Sequence, residues 1–506
     1  MSPTSSAGNS AGTSTDAIAR RDAQKLRGGQ LGAVAIAFFV ISAAAPLTGM
    51  AGGAPFAMLL GNGVGVPMSY LLVTALMVVF AVGYVAMARH HISTGAFYSY
   101  VARSLGGHAG GASALVALVG YNAMQIGLYG LFGLAAAGFL AGQGIDVAWY
   151  VPALVAWAIV AVCGYRQVDL SLKILGVLVA LEFLIVIVFD VMVLLRGGSG
   201  GEGGLSGSSF TWDAFTSGAP AIGLLFAAAS FIGFEATTIY SEEARDPSRT
   251  VPKATYLAVL TIGLFFMLTS WLMVNAYGDD ATLVDFIGSE ELGDPTNFLF
   301  AMAGPYIGDF LTSKVMLFLF ASSVFAALLA FHNAVARYTF ALGREGLVPE
   351  QLGRTHPTHL SPHTGSAGQS ALALVVLLIF VVTGSDPNNL FTWLTQLGTL
   401  AILYLMAAAA LSVVIFFARN RGLEANPWKS TLAPVIGFVG LLVVAVYATS
   451  QFGFLINRPG SALSWALPSL IPLSAAIGVA AAAILRNREP GAFAQLGRHR
   501  GEDLHD

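Results

Sequence analysis

The chain has 506 residues, 56% of them apolar and only 10% charged, with a mean hydropathy of +0.74. Soluble domains carry about 25% charged residues, so a chain of this size and composition cannot clothe itself in a water-facing surface, which excludes a cytosolic enzyme and a secreted scaffold. A formal charge of −3 offers no basic surplus to a nucleic acid, and the single cysteine, Cys163, excludes disulfides and cysteine metal cages.

Residues 1–30 are rich in Ser, Thr, Gly and Ala, then basic at Arg20, Arg21, Lys25 and Arg27; they read as a disordered cytoplasmic tail rather than a signal peptide. Beyond them, stretches with the ~20 apolar residues that a membrane crossing needs lie near 31–58, 67–88, 109–141, 147–165, 168–195, 218–241, 252–277, 311–343, 367–384, 388–418, 430–450 and 465–486. The expected fold is an all-α membrane protein with twelve transmembrane helices. Of the 24 Lys and Arg, all but Arg196, Lys314 and Arg458 fall in the tails and in alternate loops. That bias predicts cytoplasmic N- and C-termini for a multi-pass protein of the plasma membrane. The outer loop 278–310, acidic and without a base, reads as a solvated surface.

Most spans are ordinary Leu/Val/Ala runs, but two are not. The first runs through Ala43, Ala44, Ala45, Pro46, Leu47 and Thr48 to Gly49, Gly52 and Gly53, where proline removes a backbone donor and glycine lowers helix propensity. The sixth reads Ala229-Ser230-Phe231-Ile232-Gly233-Phe234-Glu235, placing a glycine and a carboxylate at membrane depth. Interrupted helices five spans apart point to an inverted-repeat transporter with its site at the midplane. Backbone groups freed at that depth need protein, water or a solute as partner. Half-helix N-termini suit a carboxylate, and freed carbonyls suit an ammonium. On this reading Ala43, Ala44, Pro46, Leu47 and Thr48, with Ala229, Ser230, Ile232 and Gly233, contact the solute. The plainer alternative is a pair of Pro/Gly kinks.

Three acids lie inside apolar spans, where burying a charge costs at least ~2.5 kcal/mol. Asp190 is close enough to the end of its helix to be expected at the interface. Glu182 sits near mid-span without an adjacent base, as a proton site or a structural hydrogen bond. Glu235 follows the sixth-span break, where it could cap the second half-helix.

Three stretches carry a resemblance: Gly95-Ala96-Phe97-Tyr98-Ser99-Tyr100-Val101-Ala102-Arg103-Ser104-Leu105-Gly106; Phe231 to Glu235 continuing through Glu242-Glu243-Ala244-Arg245-Asp246-Pro247-Ser248-Arg249-Thr250-Val251-Pro252-Lys253-Ala254; and Arg337-Tyr338-Thr339-Phe340-Ala341-Leu342-Gly343-Arg344-Glu345-Gly346-Leu347-Val348-Pro349. Through them the chain resembles the amino acid–polyamine–organocation superfamily of permeases over roughly 31–486. The resemblance implies a leucine-transporter-like fold: a 5+5 inverted repeat over 31–195 and 218–418, helices 1 and 6 broken, two C-terminal helices over 430–486, and a cytoplasmic tail, 487–506. It also implies site residues. Glu182 falls where proton-coupled members carry a lysine or a neutral residue, in place of a bound sodium. Glu235, with Phe234, matches a gating and proton-sensing glutamate. Tyr121, Gln125 and Phe331 match pocket walls. The first break departs from the family's usual glycine-rich grip on a carboxylate and is closer to that of amine-importing members.

The expected function is secondary active transport of amino acids, proton-coupled rather than sodium-coupled, by alternating access. A polyamine or amine permease, or an amino acid exchanger, stands as the alternative, ahead of a passive channel. No cofactor, metal or obligatory protein partner is expected. The Gly-rich stretches 106–111 and 197–204 lack a phosphate-loop lysine, and His356, His359 and His363 lack the acid or cysteine that would complete a zinc set.

Overall fold

The computed structural model describes residues 32–90, 96–166, 172–235, 237, 244–357, 359 and 361–497. The tail expected over 1–30, Glu242 and Glu243 of the second motif, and the last residues of the C-terminal tail lie outside the described residues. The principal helices are α1 (Ala33–Ala43), α2 (Val66–Ala88), α3 (Ala96–Leu105), α4 (Gly107–Ala141), α5 (Tyr150–Arg166), α6 (Leu172–Arg196) and α7 (Pro220–Ala229). They continue with α8 (Pro247–Tyr277), α9 (Phe298–Ile307), α10 (Leu317–Arg344), α11 (His363–Val382), α12 (Pro387–Arg419), α13 (Ala433–Ser450), α14 (Leu463–Arg488) and α15 (Pro490–Gln495). No strand occurs among the described residues.

Among the described residues, nine helical runs are long and apolar enough to cross a membrane, and Tyr150–Arg166 and Pro220–Ala229 are shorter apolar helices. The run Thr48–Ala88 is 41 residues long, about 60 Å at 1.5 Å per residue and twice the ~30 Å hydrocarbon core. It does not stay straight. Gly61 leaves helical geometry (φ −105°, ψ −119°) and Gly63 takes φ +54°, a left-handed conformation open to glycine, and the chain turns back into α2.

Burial separates the helices into two kinds. On α6 and α13, Leu184, Ile187, Val439 and Val443 are exposed apolar side chains, the condition of a helix facing lipid. On α4 and α12, most positions are buried. Small residues let these two approach backbone to backbone: a methyl on Gly398 would lie 2.6 Å from the Gly120 carbonyl oxygen, and one on Gly127 2.8 Å from the Thr395 methyl. Van der Waals packing at small residues replaces the hydrophobic drive that lipid removes.

The same device joins the first and sixth spans. A methyl on Gly61 would lie 2.8 Å from the backbone nitrogen of Gly223, and the Ala219 N–H donates to the Gly61 carbonyl at 2.8 Å. The Asn62 amide donates to the carbonyl of Phe215 at 3.1 Å. Gly263 of α8 packs against Thr74 of α2, and Gly49 against the Phe266 ring.

Candidate functional site

The first interruption is narrow. Helix α1 ends at Ala43, Ala45 takes φ +46°, and helical geometry resumes at Pro46. Pro46 has no N–H to continue the ladder. The residue ahead of it pays roughly 1–3 kcal/mol for a left-handed backbone without being glycine. Past the break, tight and wide turns alternate through Thr48–Gly53, Ala54–Ala57 and Met58–Asn62.

Glu182 of α6 comes to this break. Its side chain is 1% exposed, and its carboxylate lies against the Leu47 backbone N–H and the Ser323 hydroxyl of α10. The Thr48 hydroxyl donates to Ser323 Oγ at 3.0 Å. Three spans therefore meet at one carboxylate, and among the described residues its Oε2 has no hydrogen-bond partner.

The second interruption follows α7. Ser230 to Glu235 form a run of turns, with Gly233 at φ +107°. Among the described residues the Ser230 and Ile232 carbonyls accept no hydrogen bond. Glu235 folds back over the turn: its Oε2 accepts the Gly233 N–H at 2.9 Å, and its Oε1 accepts the Tyr121 hydroxyl of α4 at 2.5 Å. Its backbone carbonyl accepts the Tyr84 hydroxyl at 3.3 Å. Phe234 is buried among aromatic rings, 6.0 Å from Phe80, 5.9 Å from Tyr84 and 6.2 Å from Phe97. Phe331 of α10 stands with its ring 6.4 Å from that of Tyr121.

This architecture is that of an all-helical membrane protein with two interrupted helices. The sequence profile of the amino acid permeases matches residues 31–480. The chain belongs to the amino acid permease family. It is 25% identical over 335 residues to the low-affinity putrescine importer PlaP of Escherichia coli K12, covering 64% of this chain and 69% of that one. It is 25% identical over 228 residues to the lysine-specific permease of Saccharomyces cerevisiae, covering 44% and 36%. With the general amino-acid permease GAP1 of the same yeast it shares 26% over 328 residues, 60% and 51% of the two chains. The alignments thus span about half or less of the yeast relatives' own length. Permeases are transporters, not enzymes, and this one is a multi-pass membrane protein.

The permease structure sorts the residues read from its sequence. Leu47 meets Glu182 and Thr48 meets Ser323, while Gly233, Glu235 and Tyr121 meet one another with Phe331 beside them. Pro46, Ser230 and Ile232 are buried, and Ala44 and Ala229 half-buried, at the two breaks; Ala43 closes α1. Gln125 stands elsewhere: it is fully buried, donates to the Tyr129 hydroxyl at 3.0 Å and accepts from the Gln369 amide of α11 at 2.5 Å. Its amide binds helix to helix. Asp190, expected at the interface, is corrected by the structure. It is 4% exposed and accepts the Thr269 hydroxyl of α8 at 2.7 Å, because its side chain points at a neighbouring helix rather than toward the membrane surface.

Sequence reading missed Ser323, Tyr84 and Gln369. Each is a polar side chain inside an apolar span, and that signal was available for all three. A cavity of about 460 Å³ opens between the end of α4 and the loops at Asp146 and Asp294, lined also by Ala137 and Asn297, and includes none of the residues at either break. The loop histidines gather as rings, His356 lying 4.6 Å from His359 and 5.3 Å from His363, while among the described residues no group of His, Cys, Asp or Glu has a metal-holding arrangement.

Proposed function

We propose that this permease is a proton-coupled secondary active transporter of small amino-acid-like solutes. It works by alternating access in the plasma membrane, with twelve spans arranged as five plus five inverted spans and two more, and with both termini cytoplasmic. The solute sits between the two breaks, its ammonium on the Ser230 and Ile232 carbonyls and its other end toward Thr48. Phe331 and Tyr121 wall the pocket. The pairing of first and sixth spans through Gly61 and Gly223 supports a bundle of spans 1, 2, 6 and 7 that moves as one body against the rest.

The observation that carries the reading is Glu182. A carboxylate 1% exposed, set against a backbone N–H of one interrupted helix and a hydroxyl of another span, links the moving bundle to its surround. Charged, it holds Leu47 and Ser323 together. Protonated, it loses most of that hold, so the two arrangements exchange populations. A proton then does the work that a bound cation would do at the same junction.

An amine permease is the second reading. The first break lacks the glycine-rich carboxylate grip, one relative is named a putrescine importer, and Glu182 Oε2 offers a partner for a second ammonium. A thermal-shift screen of the purified protein against amino acids and amines separates the two. A solute at 100 times its dissociation constant adds about 2.7 kcal/mol of stability. Saturable counterflow of the hit in proteoliposomes is then expected, and its absence would support a channel instead.

A further inference from the structure

At the cytoplasmic end of α10, Glu345 closes the helix in a setting that resembles the Glu235 site. The Tyr98 hydroxyl of α3 donates to its Oε1 at 2.5 Å. Among the described residues its Oε2 has no partner, and neither has the buried hydroxyl of Tyr338, one helical stretch above it. The Tyr98 and Tyr338 rings meet edge to face at 5.7 Å, and Tyr338 stands 6.3 Å from Tyr121, whose hydroxyl is on Glu235. Two carboxylates and three tyrosines thus form a file from the sixth-span break to the cytoplasmic mouth.

We propose that Glu345, positioned by Tyr98 and faced by Tyr338, is the group through which the coupled proton exchanges with the cytoplasm. The inference rests on the proposed proton coupling and adds to it a route and an inner terminus. Phenol hydroxyls donate and accept, but the contacts of Tyr338 with Tyr121 and Tyr98 are between rings, so a proton passes along this file only where water bridges the Tyr338 hydroxyl to its neighbours. Glu345 Oε2 and the Tyr338 hydroxyl are each buried without a hydrogen-bond partner among the described residues, a state native proteins avoid unless water or function uses the group.

Among the described residues, three groups face Glu345. Tyr98 comes from α3, Tyr338 from its own helix, and the Gly497 backbone N–H from the segment after α15. That segment covers it from outside, with Leu496 3% exposed and the Phe493 ring 5.0 Å from His108. Arg344, the nearest base in the chain, turns instead over the Phe340 ring at 5.6 Å. Among the described residues the ion pair present is Arg249–Asp246, which does not involve Glu345. Burial pushes the Glu345 carboxyl above its ordinary range, and the Tyr98 hydrogen bond opposes that shift.

Inside-out vesicles holding the full-length protein expose this face to the bath. Wild type is expected to couple solute flux to proton flux and to respond to bath pH. Glu345→Gln should keep solute exchange within about twofold and lose at least tenfold in proton flux per solute, together with the bath-pH response. Tyr98→Phe keeps the glutamate but removes a donor that favours its charged form, so its bath-pH midpoint should move upward. Unchanged proton flux in Glu345→Gln, or an unmoved midpoint in Tyr98→Phe, overturns the proposal while coupling stands. Should wild type carry no protons, the coupling reading and this inference fall together. If Glu345→Gln also loses exchange, the Tyr98→Phe midpoint alone decides.

Discussion

Replacing Tyr121 by phenylalanine removes one oxygen and keeps the ring that faces Phe331 and Tyr338. The lost contact is a 2.5 Å hydrogen bond to a carboxylate that is 4% exposed. A bond of that kind to an ionised partner contributes about 1.5–3 kcal/mol. The Gly233 N–H remains on the other oxygen, so Glu235 keeps a donor from its own turn and the turn survives. Tyr121 belongs to α4, whereas Glu235 belongs to the break after α7; on the proposed motion of spans 1, 2, 6 and 7 against the rest, the bond persists only in the present arrangement. Its loss should therefore move the equilibrium between the two access states by about 10- to 150-fold, since 1.4 kcal/mol is a factor of ten. Apparent affinity scales with the fraction of molecules in the competent state. KM measured in right-side-out and inside-out vesicles should then change in opposite directions, with exchange preserved. Equal KM changes of the same sign on both faces would mean that Tyr121 contacts the solute directly. No change beyond twofold would mean that the bond does not distinguish the states, and the gating argument would be wrong.

Gly233→Leu puts a side chain on a φ of +107°, a strain of roughly 1–3 kcal/mol at the approach to the freed carbonyls; uptake should be abolished with membrane insertion intact, as read by surface labelling. Phe331→Leu should reorder competing solutes in an uptake assay while the maximal rate changes little. Gln125→Ala should behave oppositely: it strands the Gln369 amide, costing about 1–3 kcal/mol, and lowers the melting temperature without reordering the solutes. Asp190→Asn retains an acceptor for Thr269, so accumulation at an imposed pH difference should remain near wild type; its loss would make Asp190 a second coupling group.

The interruptions were legible because their causes are local. Proline lacks a donor at Pro46, and glycine permits the backbone that Gly233 adopts, so both breaks could be read from a dozen residues. Ala45 could not: an alanine carries no signal for φ +46°, and its conformation is imposed by the chain on either side. The span count shows the same division. Length and hydropathy find the uninterrupted helices, while α7, cut to ten residues by its own break, falls below the length of a crossing. Glu182 and Asp190 were visible as anomalies, but their partners Ser323 and Thr269 lie far along the chain, and no periodicity relates them. Tyr121 and Gln125 show where a helical-face argument stops. Four residues apart on a helix packed on most sides, they point to different neighbours, one to the sixth-span break and one to α11.

The central claim is that Glu182 couples proton movement to the exchange of access states. Glu182→Gln keeps the shape of the side chain and imitates its protonated form, still able to accept from Leu47 and Ser323. In proteoliposomes with an imposed pH difference, accumulation of labelled solute against its gradient is the direct measurement, with equilibrium exchange as the control for folding. The account predicts that the variant exchanges solute but no longer concentrates it. A variant that concentrates solute as wild type does would contradict the account and leave Glu182 as a structural hydrogen bond between helices.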